Sequence, residues 1–174
     1  MKKALEADTR FERTLRAAMP STGVSFEDLE FFEGYVNDEK VYGWPTIGVQ
    51  GVAIQRYPFH EYHTSADIPE LIEVRLMLEA LDFSERFVEM LELDYATEYV
   101  GKLPPWLTRR GLYFDSKIDP ENHDKYNNHL LYKVDGKQSV LDLAEVIGLT
   151  FIDTFNYLKI LLESGVIHKK NVIW

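Results

Sequence analysis

Helix-start signals recur in the last third of the chain, and they constrain its fold more than any other feature. Ser139 precedes an apolar run and is followed at the third position by Asp142, the arrangement of a capping box. Thr150 and Asp153 repeat that spacing just after Gly148, a residue suited to ending the first helix. Two short helices joined by so tight a turn predict a helix-turn-helix core.

The residues on either side of this core predict a winged helix. The range 129–134 is apolar enough for a further helix, which Asp135-Gly136 would end. Val166–His168 and Val172–Trp174 flank the polar residues 169–171, a pattern typical of a small β-hairpin. Three helices followed by such a hairpin form a winged helix-turn-helix, and we expect the apolar end of the hairpin to seal against its own core.

Basic residues are scarce in this unit, which disfavours a nucleic-acid reader. From Pro120 to Trp174 the sequence has six lysines, no arginine and seven acidic residues. Neutralisation of phosphates supplies much of the affinity for nucleic acid, and a base-reading helix carries Arg, Lys, Asn or Gln. Lys169 and Lys170, in the predicted turn, are the only local basic pair. The pattern favours a packing module or one that binds protein.

The whole-chain composition limits the possible classes of protein. The 174 residues are 45% hydrophobic and carry a net charge of -10, which is enough for a packed core and disfavours anionic partners such as nucleic acid and membrane surfaces. The absence of cysteine excludes disulfides and thiolate metal sites. The N-terminus has no apolar run typical of a signal peptide, and no segment is long enough to span a bilayer. We therefore expect a cytoplasmic protein without a membrane partner.

The first half of the sequence predicts a partial α/β layer. A helix is expected over 2–18 and a short one around 29–32, from the spacing of their apolar residues. Alternating branched side chains over 46–56 predict a strand. A long helix should run from about Pro69 to Leu93, with Asp67 as its N-cap.

These patterns divide the chain into three parts. Residues 1–95 form the α/β part, and residues 121–174 form the winged helix. Between them, 96–120 are expected to be an ordered connector. The adjacent prolines Pro104-Pro105 exclude an uninterrupted helix there, while residues such as Trp106 are too apolar for a free linker.

One histidine stands at the junction between the predicted strand and the long helix. His63 lies within Glu61–Glu70, and regular structure on both sides would fix its backbone, as a metal ligand requires. A purely structural role remains the alternative for a single imidazole. The acidic residues of Asn37–Tyr42, in a loop before the strand, suit metal binding, acid–base work or simple solvation. His60 and His63 lack the spacing of His-Glu-x-x-His, and no phosphate-binding glycine loop or Gly-x-Ser-x-Gly elbow is present.

The order of these motifs resembles a known family. Asn37-Asp38-Glu39 with Tyr42, the strand ending at Arg56, and Tyr62–Asp67 together resemble the closing third of zinc-dependent aminopeptidases with a co-catalytic metal pair. A narrower subgroup, aminopeptidase-like proteins with a C-terminal winged helix, matches through Arg109-Arg110-Gly111-Leu112-Tyr113. The resemblance implies zinc as the cofactor and a peptide-like substrate in a complete protein. It implies His63 as a zinc ligand, Asp67 as a residue that orients the site or caps the helix, and Asp38, Glu39 and Tyr42 in the substrate-side loop.

The sequence lacks the other residues that this activity needs. The strand is entered through Gly48-Val49-Gln50, where the family has proline at the third position. No His-x-Asp ligand pair followed by a Glu-Glu pair precedes residue 37. Because a catalytic zinc takes about three protein ligands and a water, His63 with one or two nearby acids cannot supply the site.

These observations predict the C-terminal part of a zinc metallopeptidase, aminopeptidase-like in kind and not catalytically competent by itself. An incomplete layer leaves an open edge and an uncovered apolar face, so we expect self-association or a missing N-terminal part. The alternative is a non-enzymatic protein-interaction module built on the winged helix. A DNA-binding regulator is a third possibility, which the local charge disfavours.

Overall fold

The structure, a computed structural model, describes residues 1, 3, 8–23, 26–49 and 51–170 of the chain. Its internal contacts divide the chain into Met1–Leu91, here called unit 1, and Glu92–Trp174, here called unit 2. Unit 1 contains the histidine junction singled out in the sequence. Unit 2 contains the predicted helix-turn-helix.

The first helix of unit 1, α1, spans Arg10–Ala18. The side chain of Thr9 caps it by accepting a hydrogen bond from the backbone N–H of Glu12 at 3.2 Å. Phe11 packs edge to face against Phe87, with ring centroids 4.9 Å apart, and Leu15 is buried. The predicted helix over 2–18 is therefore confirmed from Arg10 onward, and most of its expected start lies outside the described residues. A short 3-10 helix, Met19–Thr22, follows α1.

The remaining helices of unit 1 are the four-residue α2, Glu39–Tyr42, and the long α3, Val74–Leu93. A 3-10 turn at Pro69–Leu71 precedes α3, and it is capped by the backbone of Ile68 with no side-chain cap. The prediction that Asp67 caps a helix starting at Pro69 is therefore wrong, since regular helix begins only at Val74.

The strand predicted over 46–56 does not form among its described residues, which lie in turns and irregular backbone apart from an isolated β-bridge residue, Ala53. The N–H groups of Ile47 and Gly48 donate to the carbonyl of Trp44, and that of Val49 donates to Tyr42. These short-range bonds use the donors that a sheet would need, and the described part of unit 1 contains no partner strand. The short helix expected around 29–32 does not form either: Leu29 is an isolated β-bridge residue, and the residues after it are irregular chain and turn.

Unit 2 confirms the predicted helix-turn-helix. Its two helices are α5, Val140–Ile147, and α6, Phe151–Glu163. The capping box of α5 is complete, because Ser139 and Asp142 each accept the other's backbone N–H, at 3.2 and 3.0 Å. Helix α5 ends at Gly148 in the left-handed region, as predicted. A π-helix, Lys125–Leu130, and a 3-10 helix, Leu131–Lys133, stand where the sequence predicts the additional helix.

The sheet of unit 2 differs from the predicted hairpin. Strand β1, Ala96–Tyr99, pairs antiparallel with β2, Ile167–Lys170, in a register that places Ala96 opposite Lys170. Lys169 and Lys170 are thus strand residues, and their predicted position in a turn is wrong. The other predicted strand, 172–174, lies outside the described residues.

The segment 96–120, expected to be a connector, is part of unit 2. It contains β1 and the four-residue helix α4, Leu107–Arg110. Leu112 is buried, and the side-chain amide of Asn127 bonds both the N–H and the carbonyl of Phe114, at 2.9 and 2.8 Å.

No helix in the described ranges is long and apolar enough to cross a membrane.

Candidate functional site

His63 lies in a turn, with its side chain exposed. Its φ of 61° is in the left-handed region, which residues other than glycine adopt rarely. The imidazole stacks on the neighbouring Tyr62 ring, with centroids 3.8 Å apart and planes inclined by 20°. Stacking and the turn backbone together hold the ring toward solvent, available to a ligand or a metal.

The turn around His63 is stabilised by a hydroxyl. Thr64 Oγ1 donates to the carbonyl of Glu61 at 2.7 Å and accepts from the N–H of Ala66 at 3.2 Å. The N–H of Asp67 donates to the Thr64 carbonyl at 3.2 Å, while the Asp67 side chain is exposed. Thr64 therefore stabilises the turn itself, and the Asp67 side chain takes no part in these hydrogen bonds.

An aromatic cluster, which the sequence did not indicate, packs against this turn. Tyr35 packs against Tyr62 and Tyr57, with ring centroids 4.4 and 5.4 Å away. The Tyr35 hydroxyl donates to the carbonyl of Phe59 and accepts its N–H at 3.3 Å. The signal in the sequence is a set of tyrosines without regular spacing, and only the folded chain shows that they meet.

The acidic residues before the predicted strand have different environments. Asp38 precedes α2, its side chain is exposed, and its carbonyl accepts the N–H groups of Val41 and Tyr42. Glu39 is buried, and its carboxylate accepts the N–H of Asn37 at 3.0 Å. Tyr42 is exposed. Glu39 thus has a structural partner, whereas Asp38 and Tyr42 are open to solvent.

The donor set in unit 1 does not fit a zinc site by itself. Among the described residues, no three His, Cys, Asp or Glu side chains come together in an arrangement that could hold a metal ion. A structural or catalytic zinc needs three or four such ligands. His63 can supply one of them, and the remaining ligands do not come from the residues that the structure describes.

Unit 1 exposes a row of large apolar side chains on α3 and further ones in the chain before it. On α3, Met77, Leu78 and Leu81 are 60%, 59% and 53% exposed, and with Val74 they lie on one helix face. Further apolar side chains are exposed before α3: Val41 of α2, and Trp44, Ile47, Val49 and Ile54 of the irregular segment that follows it. Patches of this extent mark surfaces that contact another chain or another part of the same protein.

Lys169 and Lys170, the basic pair that a DNA-binding surface would use, both contact other side chains of unit 2. Lys170 Nζ lies 3.0 Å from a carboxylate oxygen of Glu98, and Lys169 Nζ lies 4.1 Å from the centroid of the Tyr95 ring. His168 also bonds Glu98, at 3.0 Å, a contact that the sequence did not indicate. The hydrogen bond from Lys170 is the main cause that holds the pKa of the Glu98 carboxyl below its usual value, and the bond from His168 acts in the same direction.

Each of the two units matches a known protein family. Residues 1–94 match a domain of unknown function, DUF4910, and residues 96–169 match the winged helix-turn-helix family. The chain is similar to the crystal structure of a "putative peptidase" from Clostridium acetobutylicum, at 19% identity and a TM-score of 0.79. The similarity covers 97% of this chain and 38% of that chain, and at this identity it shows a shared fold. No curated protein matches the sequence.

The winged helix predicted from the sequence is confirmed by this match and by the geometry of unit 2. Helices α5 and α6 form the helix-turn-helix, and β1 and β2 form the small sheet beside it. The DUF4910 match spans residues 1–94 of the 174, which is more than half of the chain. The chain belongs to the DUF4910 family, and a winged helix-turn-helix follows its family domain.

Proposed function

We propose that this chain is part of a zinc-dependent, aminopeptidase-like protein and is not a competent peptidase by itself. The observation that carries the proposal is the uncovered apolar surface of unit 1, since a self-sufficient domain would bury the exposed α3 face. The shared fold supports it, because nearly all of this chain aligns with only 38% of a longer one. The missing cover would then be supplied by the rest of such a protein.

In this proposal His63 supplies one ligand of a zinc site whose other ligands lie outside the described residues. Its exposed ring and fixed backbone suit that role. Asp67 would orient the site, and Asp38 and Tyr42 would face the substrate side, since their side chains are open to solvent. Glu39 would act through the loop backbone, because it is buried against the N–H of Asn37. The cytoplasm remains the proposed compartment, on the absence of cysteine.

The proposal predicts weak zinc binding by the chain alone. A single exposed imidazole cannot form a tight site, so calorimetric titration with Zn²⁺ should give no stoichiometric binding in the micromolar range. Purified chain should not hydrolyse aminoacyl-p-nitroanilides at a measurable rate. Wild type and His63→Ala should behave alike in both assays, as should His123→Ala, a control in unit 2. Stoichiometric zinc together with hydrolysis lost in His63→Ala would refute the claim of incompetence.

A second candidate is a non-enzymatic module that binds a protein through unit 2. It is favoured by the engagement of Lys169 and Lys170 within the chain, which leaves β2 little free charge for phosphates. The same observation disfavours the third candidate, a DNA-binding regulator. Salt-dependent binding of duplex DNA by the purified chain, weakened by substitution of both lysines, would restore it.

A further inference from the structure

A groove of about 780 Å³ lies within unit 2, along the connection from β1 to α4. Its lining includes Leu103 and Trp106, apolar side chains that are 83% and 69% exposed. It also includes the cations Lys102, Arg109 and Arg110. Apolar side chains and guanidinium groups in one groove suit a ligand that has both an apolar and an anionic part.

The charge of this groove is opposite to that of the chain. Three of its twelve lining residues are cationic and none is acidic, in a chain of net charge -10. Two other cationic side chains of unit 2 are engaged: Lys170 with Glu98, and Lys125 with the carbonyl of Gly148 at 2.8 Å. Arg109 and Arg110 form no such contact with the described residues, so their donors are free for a ligand.

The groove is built on a segment that the core of unit 2 holds in place. Helix α4 ends at Gly111 in the left-handed region, and the N–H of Leu112 donates to the carbonyl of Leu107 at 2.9 Å. Leu112 is buried, and just beyond it Asn127 bonds both backbone groups of Phe114. Because the C-terminal end of α4 is already held in place, this helix and its two arginines lose less conformational entropy when a ligand binds.

We propose that this groove binds a short peptide segment of a partner protein, in which an apolar side chain stands next to two or more carboxylates. The apolar side chain packs on Trp106 and Leu103, and the carboxylates accept hydrogen bonds from Arg109 and Arg110. The site lies wholly within unit 2, so it does not depend on a zinc site or on a peptidase fold in unit 1.

An acidic peptide fits this groove better than a nucleic acid. Over Glu92–Trp174 the sequence has ten Lys and Arg residues against twelve Asp and Glu, so no broad positive field would attract a phosphate backbone. Three of these ten cations line the groove together with exposed apolar side chains, and no acidic residue lines it. Local carboxylates on an apolar peptide match that pattern, whereas a long polyanion would also meet the acidic surface around it.

The test uses the full chain labelled with ¹⁵N and an acetylated, amidated peptide, Glu-Leu-Asp-Phe-Glu-Leu-Asp-Glu. Titration should shift the indole N–H signal of Trp106, assigned from its absence in Trp106→Phe, with a dissociation constant in the micromolar range. Arg109→Gln with Arg110→Gln should weaken binding by about tenfold or more, because two charge-assisted contacts are lost. The matched pair Lys133→Gln with Lys137→Gln, outside the groove and equal in charge change, should leave binding unchanged. Leu78→Glu with Leu81→Glu in unit 1 should also leave it unchanged.

Three results would overturn the proposal. One is the absence of any Trp106 shift at millimolar peptide in a chain whose circular dichroism is that of a folded protein. The second is equal affinity for a peptide in which Gln and Asn replace Glu and Asp. The third is tighter binding of a mixed-sequence DNA duplex through the same two arginines. Failure of the zinc or association tests in unit 1 would leave these outcomes unaffected, so the two proposals fail separately.

Discussion

Three tyrosines of unit 2 have phenol groups that burial shields from water. Tyr99 donates its hydroxyl hydrogen to the carbonyl of Leu131 at 2.7 Å. The buried hydroxyl of Tyr95 has no hydrogen-bond partner among the described residues. Burial raises the pKa of Tyr95, Tyr99 and Tyr157 to about 12. These phenols therefore resist ionisation as long as the unit stays folded.

The raised tyrosine pKa values predict alkaline destabilisation. The unfolded state loses these protons near pH ~10, while the folded state keeps them to about pH 12. Stability should therefore be unaffected below about pH 10 and should fall as the pH rises through the interval between these two values. Urea unfolding across this range measures the loss, and phenolate absorbance should show a group of tyrosines titrating late.

Tyr95→Phe provides the control for this prediction. The substitution removes a buried hydroxyl without breaking a hydrogen bond among the described residues, so the variant should fold at neutral pH. Its stability should fall less steeply above pH ~10, because one ionisable group is gone. Titration of all ten tyrosines together near the usual phenol pKa would contradict the assignment of three buried phenols.

For individual residues, the sequence correctly predicted those features that depend on residues nearby in the chain. The cap residues Ser139 and Thr150 were identified correctly because each bonds an N–H three positions later in the chain. The prediction that His63 joins a strand to a long helix is wrong, because no strand forms before it among the described residues and regular helix begins only at Val74. Its left-handed backbone could not be foreseen in a residue other than glycine. The caps are local in sequence, whereas the backbone of His63 is set by the turn and by the aromatic cluster packed beneath it.

The elements show where local pattern stops being informative. Strand β1 was missed because its partner, β2, lies about seventy positions later, as the pairing of Glu98 with His168 shows. The segment 46–56 has the composition of a strand, but the described part of unit 1 offers no neighbouring strand to pair with it. A strand needs a partner strand to pair with. Composition alone therefore could neither identify β1 nor exclude a strand over 46–56.

The attachment of the segment after α4 predicts a large effect at Asn127. Its amide makes two bonds to the backbone of Phe114, and Asn127→Ala leaves both groups unpaired. The free energy of unfolding should fall by about 1 to 3 kcal/mol, measured by urea denaturation.

The neighbouring Asn128 is the matched control, since its exposed side chain bonds only the carboxylate of Asp124. Asn128→Ala should change the unfolding free energy by less than about 0.5 kcal/mol. An equal effect of the two substitutions would mean that Asn127 does not anchor the segment that follows the groove-lining residues.

The two units of the molecule differ in how completely they are packed. In unit 2, Leu143, Leu158 and Leu161 are fully buried, and the helix caps are satisfied. In unit 1, by contrast, the exposed face of α3 and the irregular segment before it leave large apolar side chains open to water. The resemblance of its motif order to a peptidase predicted a partial α/β layer, whereas the described part of unit 1 contains helices and no strand. No periodicity in the sequence indicated which helix face would be bare.

Uncovered apolar surface predicts association in solution. The α3 face should drive wild-type chains together, because burying it removes apolar area from water. Leu78→Glu with Leu81→Glu should reduce that association without loss of helix content, since both side chains are already exposed. Lysines at the same two positions should act alike, which separates loss of apolar surface from the sign of the added charge.

Sedimentation equilibrium of wild type and the two double variants, over a range of protein concentrations, tests the incompleteness of unit 1 most directly. We expect concentration-dependent oligomers for wild type and a shift toward monomer for both variants, with unchanged circular dichroism. A wild-type chain that stays monomeric and folded at every concentration would contradict the proposal that unit 1 needs a further part to cover it.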